Sequence, residues 1–141
     1  MTNKGLIKLE NILLVLFSLS LHNGYSQKNI PSVQEVANYI VEKEIKHPEV
    51  VLRQAIMESG WFKCDIATKK NNLFGFRGSG PYFTFSSWKE SVDFYKKWQE
   101  KNYRNHKEDY YDFLFRIRYA GSKNYCRELQ KIQLKNISFN Q

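Results

Sequence analysis

Gln54-Ala55-Ile56-Met57-Glu58-Ser59-Gly60-Trp61 is the stretch on which the reading of this chain turns. Its first residues continue a helical pattern, and Gly60 supplies a stop. Helical spacing sets Glu58 on the same side as Val51, Gln54 and Ala55, so a single carboxylate stands on a partly apolar face near a helix end. The helix dipole disfavours a negative charge there, and lost hydration disfavours it further. A glutamate placed at that cost, with its pKa pushed up, has the properties of a general acid.

The second informative stretch is Asn71-Asn72-Leu73-Phe74-Gly75-Phe76-Arg77-Gly78. An amide pair followed by aromatics alternating with glycines suits the wall of a groove better than a core. Gly78-Ser79-Gly80-Pro81 then reads as a turn, and Tyr82-Phe83-Thr84-Phe85 alternates as a short strand does.

Around these two stretches the periodicity is helical. Ser32-Val33-Gln34-Glu35 is a capping box opening a helix with Val33, Val36, Ala37, Ile40 and Val41 on one face. Pro48, after His47, opens the helix that leads to Glu58. From Gly60 to Asn72 the pattern reads as loop. Ser87-Trp88-Lys89-Glu90 is a second capping box, with Trp88, Val92, Tyr95 and Trp98 in register behind it. Tyr110, Phe113, Leu114 and Ile117 stripe one later helix, and Tyr125, Leu129 and Ile132 another. The fold class is therefore mainly α, with a minor β element.

The chain has 141 residues, 42% hydrophobic and 26% charged, which suits one domain with a modest core. Its net charge of +8, from 22 Lys and Arg against 14 Asp and Glu, favours a polyanionic partner. Lys4 and Lys8 precede an apolar run from Ile12 to Leu21, and small residues follow at Gly24 and Ser26. That order is a secretory signal peptide over 1–26, leaving a domain over 27–141. The run is too short to span a bilayer, so no stable membrane insertion is expected after cleavage. An exported protein, periplasmic or extracellular, counts against a nucleic-acid partner.

Cys64 and Cys126 could pair in an oxidising compartment, closing a loop of about 60 residues worth ~3–4 kcal/mol. A buried free thiol is the alternative at Cys126. His22, His47 and His106 share no metal-ligand spacing, so neither a metal nor another cofactor is expected. Glu90 has a sufficient role in its capping box, and Asp93 and Asp109 read as helix surface and helix N-terminus. Asp65 borders the Glu58 helix and is the remaining candidate for a second acid.

Gln54 to Trp61, then Ile66-Ala67, then Asn71 to Gly78 resemble the glucosaminidase domain of glycoside hydrolase family 73. Phe85 to Ser91 and Tyr119 to Tyr125 resemble later segments of the same family, and the likeness runs from about Val33 to Ile132. The resemblance implies a lysozyme-like fold, with a helical lobe, a small β-hairpin lobe and a cleft between them. It implies hydrolysis of the β-1,4 bond between N-acetylglucosamine and N-acetylmuramic acid in peptidoglycan glycan strands, by a monomer. Glu58 falls on the family's general acid and Tyr119 on a tyrosine of its cleft. Asn72, Phe74 and Gly75 fall on its substrate-contacting loop, with Tyr125 beside them.

Many members of that family carry a second acid in an extended β lobe. Here Gly75 to Phe85 contains no Asp or Glu, which leaves the substrate's 2-acetamido group or a displaced Asp65 as the partner of Glu58. A lytic transglycosylase on the same scaffold needs one glutamate, a muramidase uses such an acid too, and a wall-binding or assembly protein needs none. Those are the competing readings.

Overall fold

The computed structural model describes residues 30–140 and contains six helices, five of them where the caps and stripes direct. The signal-peptide reading of 1–26 lies outside the described residues. No described helix is long and apolar enough to cross a membrane.

Helix α1 (Val33–Glu42) starts on a full capping box: Glu35 N–H donates to Ser32 Oγ at 3.2 Å, and Ser32 N–H to Glu35 Oε2 at 2.7 Å. Its buried face is Val36, Ala37, Tyr39 and Ile40; Val33 and Val41, expected in that stripe, are only partly covered. Helix α2 (Pro48–Ser59) packs against α1 and buries Val51, Leu52, Gln54, Ala55, Ile56 and Ser59. It is the axis of the helical lobe.

Two elements differ from expectation. Asp65–Lys70 forms a short helix, α3, where the sequence reads as loop. Six residues are too few to display a period, and the helix closes on Asn71 in the left-handed conformation with its N–H on the Ala67 carbonyl. The hairpin expected around Tyr82 to Phe85 reduces to one antiparallel bridge, Arg77 to Tyr82. Side chains replace the ladder. Asn72 Nδ2 donates to the carbonyls of Phe76 (2.8 Å) and Phe83 (3.1 Å), while its Oδ1 accepts from Phe76 N–H (3.0 Å). Asn71 Nδ2 ties the root of the loop to the Phe85 carbonyl at 2.9 Å.

Helix α4 (Trp88–Asn102) runs behind this lobe, with Ser87 Oγ accepting from Glu90 N–H at 3.3 Å. The Glu90 carboxylate takes Ser86 N–H and Oγ–H instead of the cap residue's own N–H. Helices α5 (Tyr110–Arg116) and α6 (Tyr125–Lys131) close the lobe, α6 lying against α2 and α5. Asp109 caps α5, accepting from Tyr111 and Asp112 N–H. The core is aromatic and also polar. Tyr95 donates to Gln54 Oε1, its hydroxyl meets that of Tyr110 at 2.7 Å, and Gln99 Nε2 reaches Tyr110 and the Lys46 carbonyl at 2.9 Å each. Among the described residues no buried side-chain N or O lacks a partner, so this network costs the fold no orphaned group.

Candidate active site

Glu58 stands one residue before the end of α2, and the chain then reverses sharply. Gly60, Trp61 and Phe62 all have φ near +60°. Gly60 adopts that conformation freely, but each of the next two is strained by about 1–2 kcal/mol. Burial of Phe62, which is 2% exposed, offsets about 1.5–3 kcal/mol of this. Ser59 adds to it by donating to the Ala55 carbonyl and accepting from Phe62 N–H at 2.9 Å. The reversal stops the helix one residue after Glu58 and leaves its carboxyl in the lining of a cleft.

That cleft has a volume of about 540 Å³. Glu58 lines it together with Phe74, Gly75, Phe76, Arg77 and Tyr82 from the loop after α3, Trp98 from α4, and Arg118 to Gly121 from the segment after α5. Gly75 explains itself here. Its φ is +66°, and a Cβ on it would stand 3.2 Å from Glu58 Oε2, so the loop approaches the carboxylate as closely as it does because the residue has no side chain. Burial raises the Glu58 pKa above its ordinary value, and the facing Tyr125 hydroxyl partly counters that by favouring the charged form.

The expected site residues divide into two groups. Phe74, Gly75 and Tyr119 line the cleft with Glu58. Asn72 does not: it is fully buried and its amide is spent on the loop backbone, so it shapes the wall without reaching the cleft. Tyr119 donates to the Phe74 carbonyl at 3.2 Å, stacks on Tyr125 with ring centroids 5.7 Å apart, and meets Trp98 edge-on at 5.2 Å. Burial and the Glu58 charge hold the phenols of Tyr119 and Tyr125 well above their ordinary pKa, so both stay protonated donors.

Asp65 is absent from the lining. It is exposed and paired with Lys69 at 2.8 Å. Among the described residues that line the cleft, Glu58 is the one carboxylate. The cysteines are free. Cys64 Sγ faces the Glu58 carbonyl and Cys126 Sγ the Tyr111 carbonyl, so the two do not form the disulfide considered from sequence. No cluster of His, Cys, Asp or Glu suited to a metal occurs among the described residues.

Two basic residues that sequence reading did not single out, Arg77 and Arg118, line the cleft, and nothing in their local sequence sets them apart from the other basic residues. Gln54, fully buried, stands outside the lining, accepting from Tyr95 and approaching the Tyr125 hydroxyl at 3.5 Å; its position on the Glu58 face was the available signal.

The family model described as mannosyl-glycoprotein endo-beta-N-acetylglucosaminidase matches residues 34–137. Exo-glucosaminidase LytG of Bacillus subtilis (strain 168) is 40% identical over 50 residues, which are 36% of this chain and 18% of that protein. No solved structure gives a significant match. The family match extends from the first turn of α1 to beyond α6 and encloses both walls of the cleft and the carboxylate between them: this chain belongs to the glucosaminidase family, glycoside hydrolase family 73.

Proposed function

We propose that the protein is an exported peptidoglycan hydrolase that cuts the β-1,4 bond between N-acetylglucosamine and N-acetylmuramic acid, with Glu58 as general acid. The observation that carries this reading is the desolvated carboxyl of Glu58 in the lining of the cleft, backed by Gly75 and met by Tyr125. A raised pKa keeps the proton available near neutrality. Protonated Glu58 delivers it to the glycosidic oxygen as the bond to C1 breaks, and the leaving sugar departs as an alcohol. With Glu58 as the one cleft carboxylate, the 2-acetamido oxygen of the substrate is the nucleophile at C1. Water then opens the resulting ring and returns its proton to Glu58. Tyr119 acts as a positioning residue, holding the Phe74 carbonyl and with it the loop that carries Gly75. The name of the relative, an exo-glucosaminidase, supports the sugar specificity, and the net charge of +8 suits a wall rich in carboxylates.

The test is product analysis on purified peptidoglycan. Borohydride reduction followed by mass spectrometry should find N-acetylglucosaminitol at the new ends. Reduced N-acetylmuramic acid would make the protein a muramidase. One observation favours a second reading: a lytic transglycosylase also needs one acid, and it would leave 1,6-anhydro ends that borohydride does not touch. Binding without soluble products would leave a non-catalytic wall protein.

A further inference from the structure

A second recess, of about 360 Å³, lies beside the cleft. Arg118, Ala120 and Gly121 belong to the linings of both spaces. The recess contains no acidic residue, and Arg116, Arg118 and Lys123 all border it. Arg116 is already neutralised by Glu108, through contacts of 2.7 and 2.8 Å. Arg118 and Lys123 have no ion-pair partner among the described residues. Phe115, 61% exposed, supplies an apolar edge to the same recess.

Arg118 is also held in a conformation that arginine does not favour. It follows α5 with φ +52°, its N–H on the Phe115 carbonyl and the Tyr119 N–H on the Leu114 carbonyl. This is the helix-ending arrangement whose left-handed position normally goes to glycine or asparagine. Glu44 closes α1 in the same arrangement at φ +53°, so what sets Arg118 apart is its place: it lines both spaces.

Resting on the peptidoglycan reading above, we propose that this recess is a subsite for the carboxylate-bearing substituent of the glycan, gripped by Arg118 and Lys123 while the sugar backbone lies in the cleft. A strand whose alternate sugars carry an anionic side group needs a place beside the cleft to put it. Two unpaired cations and an apolar edge fit a short acidic peptide. The carboxylate could come from that peptide or, where the peptide has been removed and its amide bond cut, from the free lactyl group, and the experiment separates the two.

The test measures binding to the full chain carrying Glu58→Gln, so that no ligand is consumed. Three glycans of equal length are titrated by calorimetry: a chito-oligosaccharide, a peptide-free peptidoglycan fragment, and the same fragment with its peptides. A carboxylate held by both cations tightens binding by about tenfold over the neutral sugar. If the gain is confined to the peptide-free fragment, the free lactyl carboxylate is the ligand; if it appears with the peptide-bearing fragment, the peptide is. In Arg118→Gln/Lys123→Gln, verified as folded by circular dichroism, the preference for the anionic glycan should fall to about parity. Arg118→Asn/Lys123→Gln, which suits the left-handed position, should lose it equally and so separates charge from backbone strain. An equal affinity of the parent protein for all three glycans overturns the subsite, as does a preference that survives in the double variants. Failure of the hydrolase reading would appear elsewhere, as an absence of cleavage products from the protein with Glu58 intact.

Discussion

The two walls of the cleft are built by different means. The helical lobe is held by apolar stripes, caps and a saturated network from Gln99 through Tyr110 and Tyr95 to Gln54. The small lobe, from Asn71 to Ser86, contains one β-bridge, and two asparagine side chains do what a sheet ladder would do elsewhere. A lobe that hangs on side-chain amides can approach Glu58 closely, as it does at Gly75, but depends on few groups. The helical lobe distributes its stability over many.

The largest effect should come from the residue at the boundary. Glu58→Gln retains shape and removes the proton, so the rate of wall solubilisation should drop by about 10²–10⁴-fold with the circular dichroism spectrum unchanged. An unaltered rate would end the catalytic assignment.

The contrast between the lobes is broken more directly by a pair of variants. Asn72→Ala strips several bonds from buried backbone groups and should cost about 2–4 kcal/mol. The loss should be concentrated in hydrogen-exchange protection from Phe74 to Phe85. Tyr95→Phe, which orphans buried Gln54 Oε1 within the helical lobe, should cost about 1–3 kcal/mol, with the loss of protection spread over the helices. Global loss of protection in both variants would mean that the small lobe is no separate unit.

Gly75→Ala sharpens the same point. It adds a Cβ at 3.2 Å from the carboxylate and strains φ +66°, so stability should fall by about 1–2 kcal/mol. The activity loss, about tenfold, should exceed what unfolding explains, because the added methyl displaces the acid. Denaturant melts and initial rates on the same preparation check the two parts.

The smallest effect is a pH dependence. Burial raises the Glu58 pKa above the ordinary 4.5, so the folded chain holds this proton to higher pH than the unfolded one. Below the ordinary value both states are protonated and Glu58 imposes no penalty. As pH rises through the raised folded pKa the buried charge appears and stability is lost. The Tm of Glu58→Gln should therefore exceed that of the parent by a margin that widens between about pH 4 and pH 7. A constant margin would show that Glu58 is not desolvated.

The capping box of α1, the Ser87 cap of α4, the proline start of α2 and the glycine stop after it were legible because each acts within a turn of itself, whereas Glu90, expected to complete a second box, bonds Ser86. Helix α3 was not legible, since its closure depends on Asn71 and on packing against α2. Tyr82 to Phe85 alternates like a strand, yet Asn72 occupies the carbonyls of Phe76 and Phe83 and the pairing stops at one bridge. Local alternation does not reveal what sits opposite.

The sequence by itself determined a helical chain, an acid displayed at a helix end, a glycine-aromatic wall and a family. All of these are written in spacing and short-range chemistry. Only the tertiary structure decided that Asn72 faces inward, that Asp65 lies off the cleft, and that Cys64 and Cys126 remain apart. It alone brought Gly75 and Tyr125 to Glu58 and Arg118 to the same cleft. The reason is physical: a carboxyl's pKa and a guanidinium's ligand depend on what lies within a few ångströms, and here those neighbours come from α2, the small lobe and the segment after α5.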